Sequence, residues 1–218
     1  MGATSEQGSD AESDEKPAHS VTLSSYYIGE TEATQALWQA VMGTTIRQQR
    51  DKAVKGWPLQ GEGTNYPMYC ISWEDCQRFI GRLNSLTGQH FHLPTEAQWE
   101  YAARGGSKSC GYKYSGSNDI GSVAWYGEVN GGARPVKTKS PNELGIYDMS
   151  GNVWEWCQDW YSSYSSSSQT NPTGISSGSY RVFRGGCWLY NAMGCRVSYR
   201  GNGTRPDRDY YLGLRLAL

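Results

Sequence analysis

Apolar residues recur at helical spacing only in the first half of the chain. Cys76, Phe79, Ile80, Leu83 and Leu86 lie three or four residues apart behind Ser72 and Asp75, a capping-box pair in which each side chain satisfies the other's exposed N–H. Gly88 stops that helix. After Pro94, Thr95 and Gln98 repeat the device and open a helix over Trp99, Tyr101 and Ala102 that ends at Gly105. Upstream, Val21, Leu23, Tyr26 and Ile28 suit an opening strand within His19–Ile28, and Thr31 is read as the cap of a short helix through Leu37, Trp38 and Val41, ended by Gly43. Residues 44–66 are polar and aperiodic and read as a long loop, with a short strand at His90–Leu93.

Beyond residue 106 the helical period is lost. Gly, Ser, Asn and Pro punctuate short segments rich in Val, Trp and Tyr, the pattern of short strands joined by long loops. Tyr161 to Ser179 is Ser-rich and reads as a mobile excursion. Helices first and irregular strands after give an α+β domain with much loop.

Composition adds limits. The apolar share is only 37%, but nine Trp, sixteen Tyr and three Phe supply large burial per residue. A net charge of -1 and the absence of a basic run argue against nucleic-acid binding. No apolar stretch approaches the ~18 residues that a membrane span needs. Residues 1–18 hold no aromatic side chain and are rich in Ser, Gly, Asp and Glu, so they read as disordered, either an ordinary terminus or a polar tether. The six cysteines form no C-x-x-C pair and the three histidines fall in no metal-binding spacing. Disulfides and buried free thiols both remain open.

Four stretches, in order, carry a family resemblance: "EATQALWQAVMG" (Glu32–Gly43), "LPTEAQWEYAARGG" (Leu93–Gly106), "GIYDMSGNVWEWCQDWY" (Gly145–Tyr161) and "RVFRGGCW…CRVSYR…LGLRL" (Arg181–Leu216). Together they resemble the formylglycine-generating-enzyme family across about residues 19–218. The resemblance implies a C-type-lectin-like fold, two or three helices with small twisted antiparallel sheets and much irregular chain. Enzymes of that family use two cysteines of their own, five positions apart, after an Arg-Gly-Gly-Ser motif. Matching "RGGCW" to the motif puts Tyr190 at the first cysteine, Cys195 at the second and Cys187 at the serine. A single thiolate cannot hold a cuprous ion in two-coordinate form, so no copper and no catalysis are expected. The resemblance also implies a structural calcium ion held by the carboxylates of Asp148 and Glu155 and the carbonyls of Gly151 and Val153. The alternative is a tight turn in which those carboxylates bond backbone groups.

Within residues 181–218 two vocabularies alternate. Arg184, Gly185, Gly186, Trp188, Cys195, Arg196, Val197, Arg200, Leu212, Gly213, Arg215 and Leu216 belong to the family's closing block. Between them stand Leu189, Tyr190, Asn191, Tyr199, Gly201, Asn202, Gly203, Thr204, Asp207, Asp209, Tyr210 and Tyr211, of which all but Gly203 are the candidate binding residues. Tyr offers rigid amphipathic area at low entropy cost, and small polar residues adapt their hydrogen bonds, as in antibody paratopes. The mixture resembles the variable segment of diversity-generating retroelement proteins, such as those of treponemes. The expectation is a monomeric, non-catalytic display protein, tethered at a bacterial cell surface as a lipoprotein, whose C-terminal segment meets a protein or other surface ligand. These residues should then tolerate replacement, Tyr190, Tyr199, Asp207 and Tyr211 together included.

Overall fold

A computed structural model describes residues 1–128 and 131–218. Helix α1 (Gln35–Met42) is capped by the Thr34 side chain, which accepts from Leu37 N–H, and ends at Gly43 in the left-handed region. The expected cap, Thr31, lies three residues too early. Helix α2 (Ile46–Ala53) occupies the stretch expected to be loop. It opens with a capping box of Thr45 and Gln48, and it buries Ile46 and Gln49. Helix α3 (Trp73–Thr87) carries the expected Ser72–Asp75 box and ends at Gly88, at φ 69°. Its apolar stripe meets α1, where Trp38 and Phe79 stack with ring centroids 5.0 Å apart. Helix α4 (Glu96–Ala103) has the Thr95–Gln98 box, and α5 (Ile120–Val123) is a single turn.

Six strands follow the same chain order. The pair β1 (Val21–Thr22) and β3 (Gln169–Thr170) runs parallel. The other four, β2 (Trp154–Trp160), β4 (Arg181–Arg184), β5 (Arg200–Gly203) and β6 (Leu212–Leu214), form one sheet in the order β5-β4-β2-β6. Antiparallel pairing joins β2 to β4 and β4 to β5, whereas β6 runs parallel to β2, so the sheet is mixed. The expected strand at His90–Leu93 is reduced to a bridge between His92 and Ala217, and Ile28 bridges the same residue. The main core lies between this sheet and helices α1 and α3, built on Trp38, Phe79, Trp154, Trp156, Trp188 and Leu214.

Two expectations about order need correction. Residues 1–18 do not form a disordered tether, because two 3-10 turns fold them onto the domain and bury Gln7 and Glu15. Glu15 is 0% exposed and meets the Arg196 guanidinium at 2.5 Å. A segment too polar to order itself is thus ordered by a charge supplied from far along the chain. The Ser-rich excursion is tied down as well, by the β1–β3 pairing and by Asn171, which accepts from Ser24 N–H at 2.8 Å and donates to the Ser24 hydroxyl at 2.9 Å.

Candidate functional site

The C-terminal segment is held from beneath by buried arginines. Arg184, on β4, reaches Glu100 at 2.6 Å and Glu96 at 3.3 Å on α4, and donates to the carbonyls of Val197 and Ser198. Arg200, on β5, takes both oxygens of Glu96, at 2.6 and 2.9 Å. Arg215 lies against Glu155 of β2 at 2.7 Å. Each guanidinium is matched by a carboxylate and by carbonyls, which a buried charge requires. Between β4 and the next segment, Gly185 and Gly186 adopt φ 102° and 77°. A Cβ on Gly186 would stand 2.6 Å from Cys195 Sγ, so the chain crosses here only as glycine.

Above this scaffold lie the eleven candidate binding residues, none of them buried, whereas Gly203, which stands among them in the sequence, is buried. The family-block positions among which they sit are buried, except Leu216, which is half-buried. Tyr190 is 41% exposed and meets Trp154 edge-on at 5.5 Å and Tyr211 at 5.9 Å. Tyr210 packs on Tyr211 at 5.2 Å and on Trp57 at 5.3 Å, while Tyr199 leans on Trp154 at 5.9 Å. Tyr190, Tyr210 and Tyr211 therefore make one continuous aromatic surface, and Tyr199 is joined to it through the buried Trp154. Beside them, burial lifts the Asp209 carboxyl above its ordinary range, with hydrogen bonding from Tyr211 opposing the shift.

The other candidates lie on β5 and in turns. Gly201 faces Phe183 across the β4–β5 register, where a Cβ would fall 2.0 Å from the ring, and Asn202 next to it is exposed. Asp207 closes a turn by accepting from Thr204 N–H at 2.7 Å and from the Thr204 hydroxyl at 2.6 Å. Asn191 caps the 3-10 turn Ala192–Cys195. Leu189, Tyr199, Tyr210 and Tyr211 also pack against the core, so the expectation that the whole set is freely replaceable does not hold for them. Sequence reasoning missed Trp57, placed in a supposed loop, and Met193, which is 40% exposed. An apolar residue between Asn191 and Gly194 was the available signal for Met193.

The thiols at the family's catalytic position are buried and 0% exposed. Burial pushes Cys187 up to about 12, despite nearby N–H groups of Leu189 and Tyr190. Burial raises Cys195 still further, and Cys187 adds to it. A thiol that stays protonated is a poor nucleophile and a poor metal ligand. Tyr190, in the place of the missing thiol, is turned toward the aromatic surface.

In the block from Asp148 to Glu155, the Glu155 carboxylate of the calcium donor set that the resemblance implies is already taken by protein donors. Both oxygens of Glu155 are engaged: Arg215 donates to each, at 2.7 to 3.1 Å, and the Trp99 indole N–H donates to Oε2 at 2.6 Å. Asp148, at φ 58°, accepts from Lys137 N–H at 2.9 Å. Gly151 shapes the turn at φ 82°, and Val153 N–H donates to Glu32. Glu32, which sequence reasoning did not place here, also accepts from Asn152. Burial, then Asp148 and Glu155, hold Glu32 well above the carboxylate range. The positive charge in this block is Arg215 itself. Adding a chelator is therefore expected to leave the melting temperature unchanged, as followed by circular dichroism, and a drop on chelation would restore the ion.

The sulfatase-modifying factor enzyme 1-like domain model matches residues 1–218. The chain belongs to that family. Among curated relatives, the chaperone protein LppX of Paenibacillus barcinonensis is 34% identical over 90% of this chain and 81% of its own length. The formylglycine-generating enzyme of Streptomyces coelicolor is 35% identical over 70% of this chain, but only 52% of that enzyme is spanned. Among solved structures, Treponema denticola variable protein 1 superposes with a TM-score of 0.80 at 34% identity, covering 91% of this chain and 86% of that one. PvdO of Pseudomonas aeruginosa, at 24% identity and a TM-score of 0.78, shares the fold. The family assignment and the lectin-like α+β architecture read from the sequence thus hold, as does the likeness to a variable protein.

Proposed function

We propose that this family member is a non-catalytic recognition protein, displayed outside the cytoplasm, whose C-terminal segment presents a diversifiable ligand surface. One observation carries the reading: within residues 181–218 the positions of the family block are buried, all but Leu216, and the Tyr, Asn, Asp and Thr positions between them are not. Such a division lets side chains change without disturbing the support beneath them. The aromatic surface of Tyr190, Tyr199, Tyr210 and Tyr211 has the area and the low entropy cost of a paratope. Its occupant is a protein or another cell-surface ligand, and the chain acts as a monomer. The likeness to a variable protein supports the reading, whereas a chaperone, LppX, is also among the relatives.

The same relative favours a second reading, that of an accessory module acting on a partner protein, with no diversification. A near-copy of the coding sequence for residues 181–218 beside a reverse transcriptase gene separates the two, because only a diversified segment needs a template.

Catalysis is expected to be absent. Incubated with a Cys-containing sulfatase peptide and copper, the protein should give no formylglycine by mass spectrometry. Turnover comparable to that of a formylglycine-generating enzyme would overturn the non-catalytic reading.

A further inference from the structure

A second concavity lies away from the aromatic surface and shares only Arg200 with the C-terminal segment. It is a pocket of about 470 Å³ between the first turn of α4, the end of β2 and the Ser-rich excursion. This volume falls within the range of small-molecule sites.

Its floor carries an incompletely satisfied acid. Asp159 is 5% exposed, and its Oδ2 accepts from Glu96 N–H at 2.9 Å. Among the described residues no donor reaches Oδ1. That oxygen borders the pocket, where it is open to water or to a ligand donor. Burial and the neighbouring Glu96 carboxylate push the Asp159 carboxyl up to about 7, so its protonated form is accessible near neutrality.

The walls restrict what can fill the space. Four of the five Arg200 N–H groups are spent, on both oxygens of Glu96 and on the carbonyls of Asp14 and Ser162, and the Met1 ammonium on the same wall donates to the His19 carbonyl at 3.0 Å, so the cations here are largely engaged within the protein. Around Asp159 the Glu96 carboxylate is opposed by Arg200 and Arg181, so neither sign of charge dominates there. Hydroxyls from Ser162, Ser163, Thr170 and Thr173 line the sides, with Trp160 and Ile175 as apolar surface. Groups that both donate and accept, set beside patches for C–H contact, match a ligand of alternating hydroxyls and carbons.

We propose that this pocket binds a neutral, hydroxyl-rich small molecule of mono- to disaccharide size, with Asp159 Oδ1 bonded to a ligand hydroxyl. It would be a second site, independent of the aromatic surface.

Saturation-transfer NMR with methyl α-glucoside, N-acetylglucosamine and maltose tests this, with inorganic phosphate and methylammonium as the charged probes. At least one saccharide is expected to bind at millimolar concentration or below, while neither charged probe does. Asp159→Asn, which turns an acceptor toward the pocket into a donor, should weaken binding at least fivefold. Thr173→Trp, made at an exposed wall position, should weaken it at least tenfold by obstruction. Both variants should melt within a few degrees of the parent, which keeps loss of binding distinct from loss of fold. The assignment is overturned if no saccharide binds, if a charged probe binds instead, or if both variants bind as the parent does.

Discussion

Replacing Glu15 with Ala should destabilise the domain by about 3–5 kcal/mol, because it strands the guanidinium of Arg196 in the interior. Arg196 is 0% exposed, and Glu15 is its carboxylate partner, at 2.5 and 2.7 Å. For a chain of this size the loss corresponds to a fall in melting temperature on the order of 10 °C. Burial alone would raise the Glu15 carboxyl, but hydrogen bonds from Arg196 and Ser198 hold it below the ordinary range. A depressed carboxylate stabilises fully above its unfolded value of about 4.3 and loses that contribution as pH falls through the lower folded value. The melting difference between parent and Glu15→Ala should therefore be present at pH 7 and shrink below about pH 4. The double replacement Glu15→Leu with Arg196→Met should cost less than Glu15→Ala, since it leaves no unpaired charge. A Glu15→Ala variant that melts with the parent would mean that residues 1–18 are loosely attached after all.

Trp188→Ala should cost a similar amount, about 3–5 kcal/mol, by emptying a packed aromatic site. Trp188 is 2% exposed, and its backbone N–H donates to the carbonyl of Asn152 at 2.9 Å just after the Gly185–Gly186 turn. It also supports Tyr210 from below, with ring centroids 5.9 Å apart. Loss of the indole should thus remove both stability and the base of the aromatic surface. Urea titration checks this, and a midpoint within error of the parent would place Trp188 outside the core. Truncation of Tyr199 or Tyr211 should fall between Trp188 and the exposed positions, since each rests on the core but keeps part of its ring in water.

What the sequence revealed follows the range over which each signal acts. The boxes at Ser72–Asp75 and Thr95–Gln98 are completed within three residues, and both helices start where those residues place them. The Thr45–Gln48 box is equally local, but Arg47, Gln49, Arg50 and Asp51 give α2 little apolar pattern, and it read as loop. Glu15 finds Arg196 across 181 positions, and Glu96 finds Arg200 across 104. Nothing near either acid announces its partner. A comparable separation hid Trp57 from Tyr210, the tyrosine it meets. Alternation of buried and open positions after Arg181 was legible because the family block marks the buried ones. It could not show which tyrosines also rest on the core.

The central claim is that the recognition surface can vary while its support stays fixed. The most direct test randomises Tyr190, Asn191, Asn202 and Asp207 together among Tyr, Asn, Asp, Ser, Thr and Gly and measures melting across the resulting variants. All four positions are exposed, and the turn hydrogen bonds of Asn191 and Asp207 can be made by other small polar side chains. Most variants should melt within about 5 °C of the parent, given costs near 0.5 kcal/mol at open positions. Selection of the displayed library on a chosen protein target should then yield binders that the parent sequence does not match. If most variants instead unfold as Trp188→Ala does, these positions belong to the scaffold and the segment is not a recognition surface.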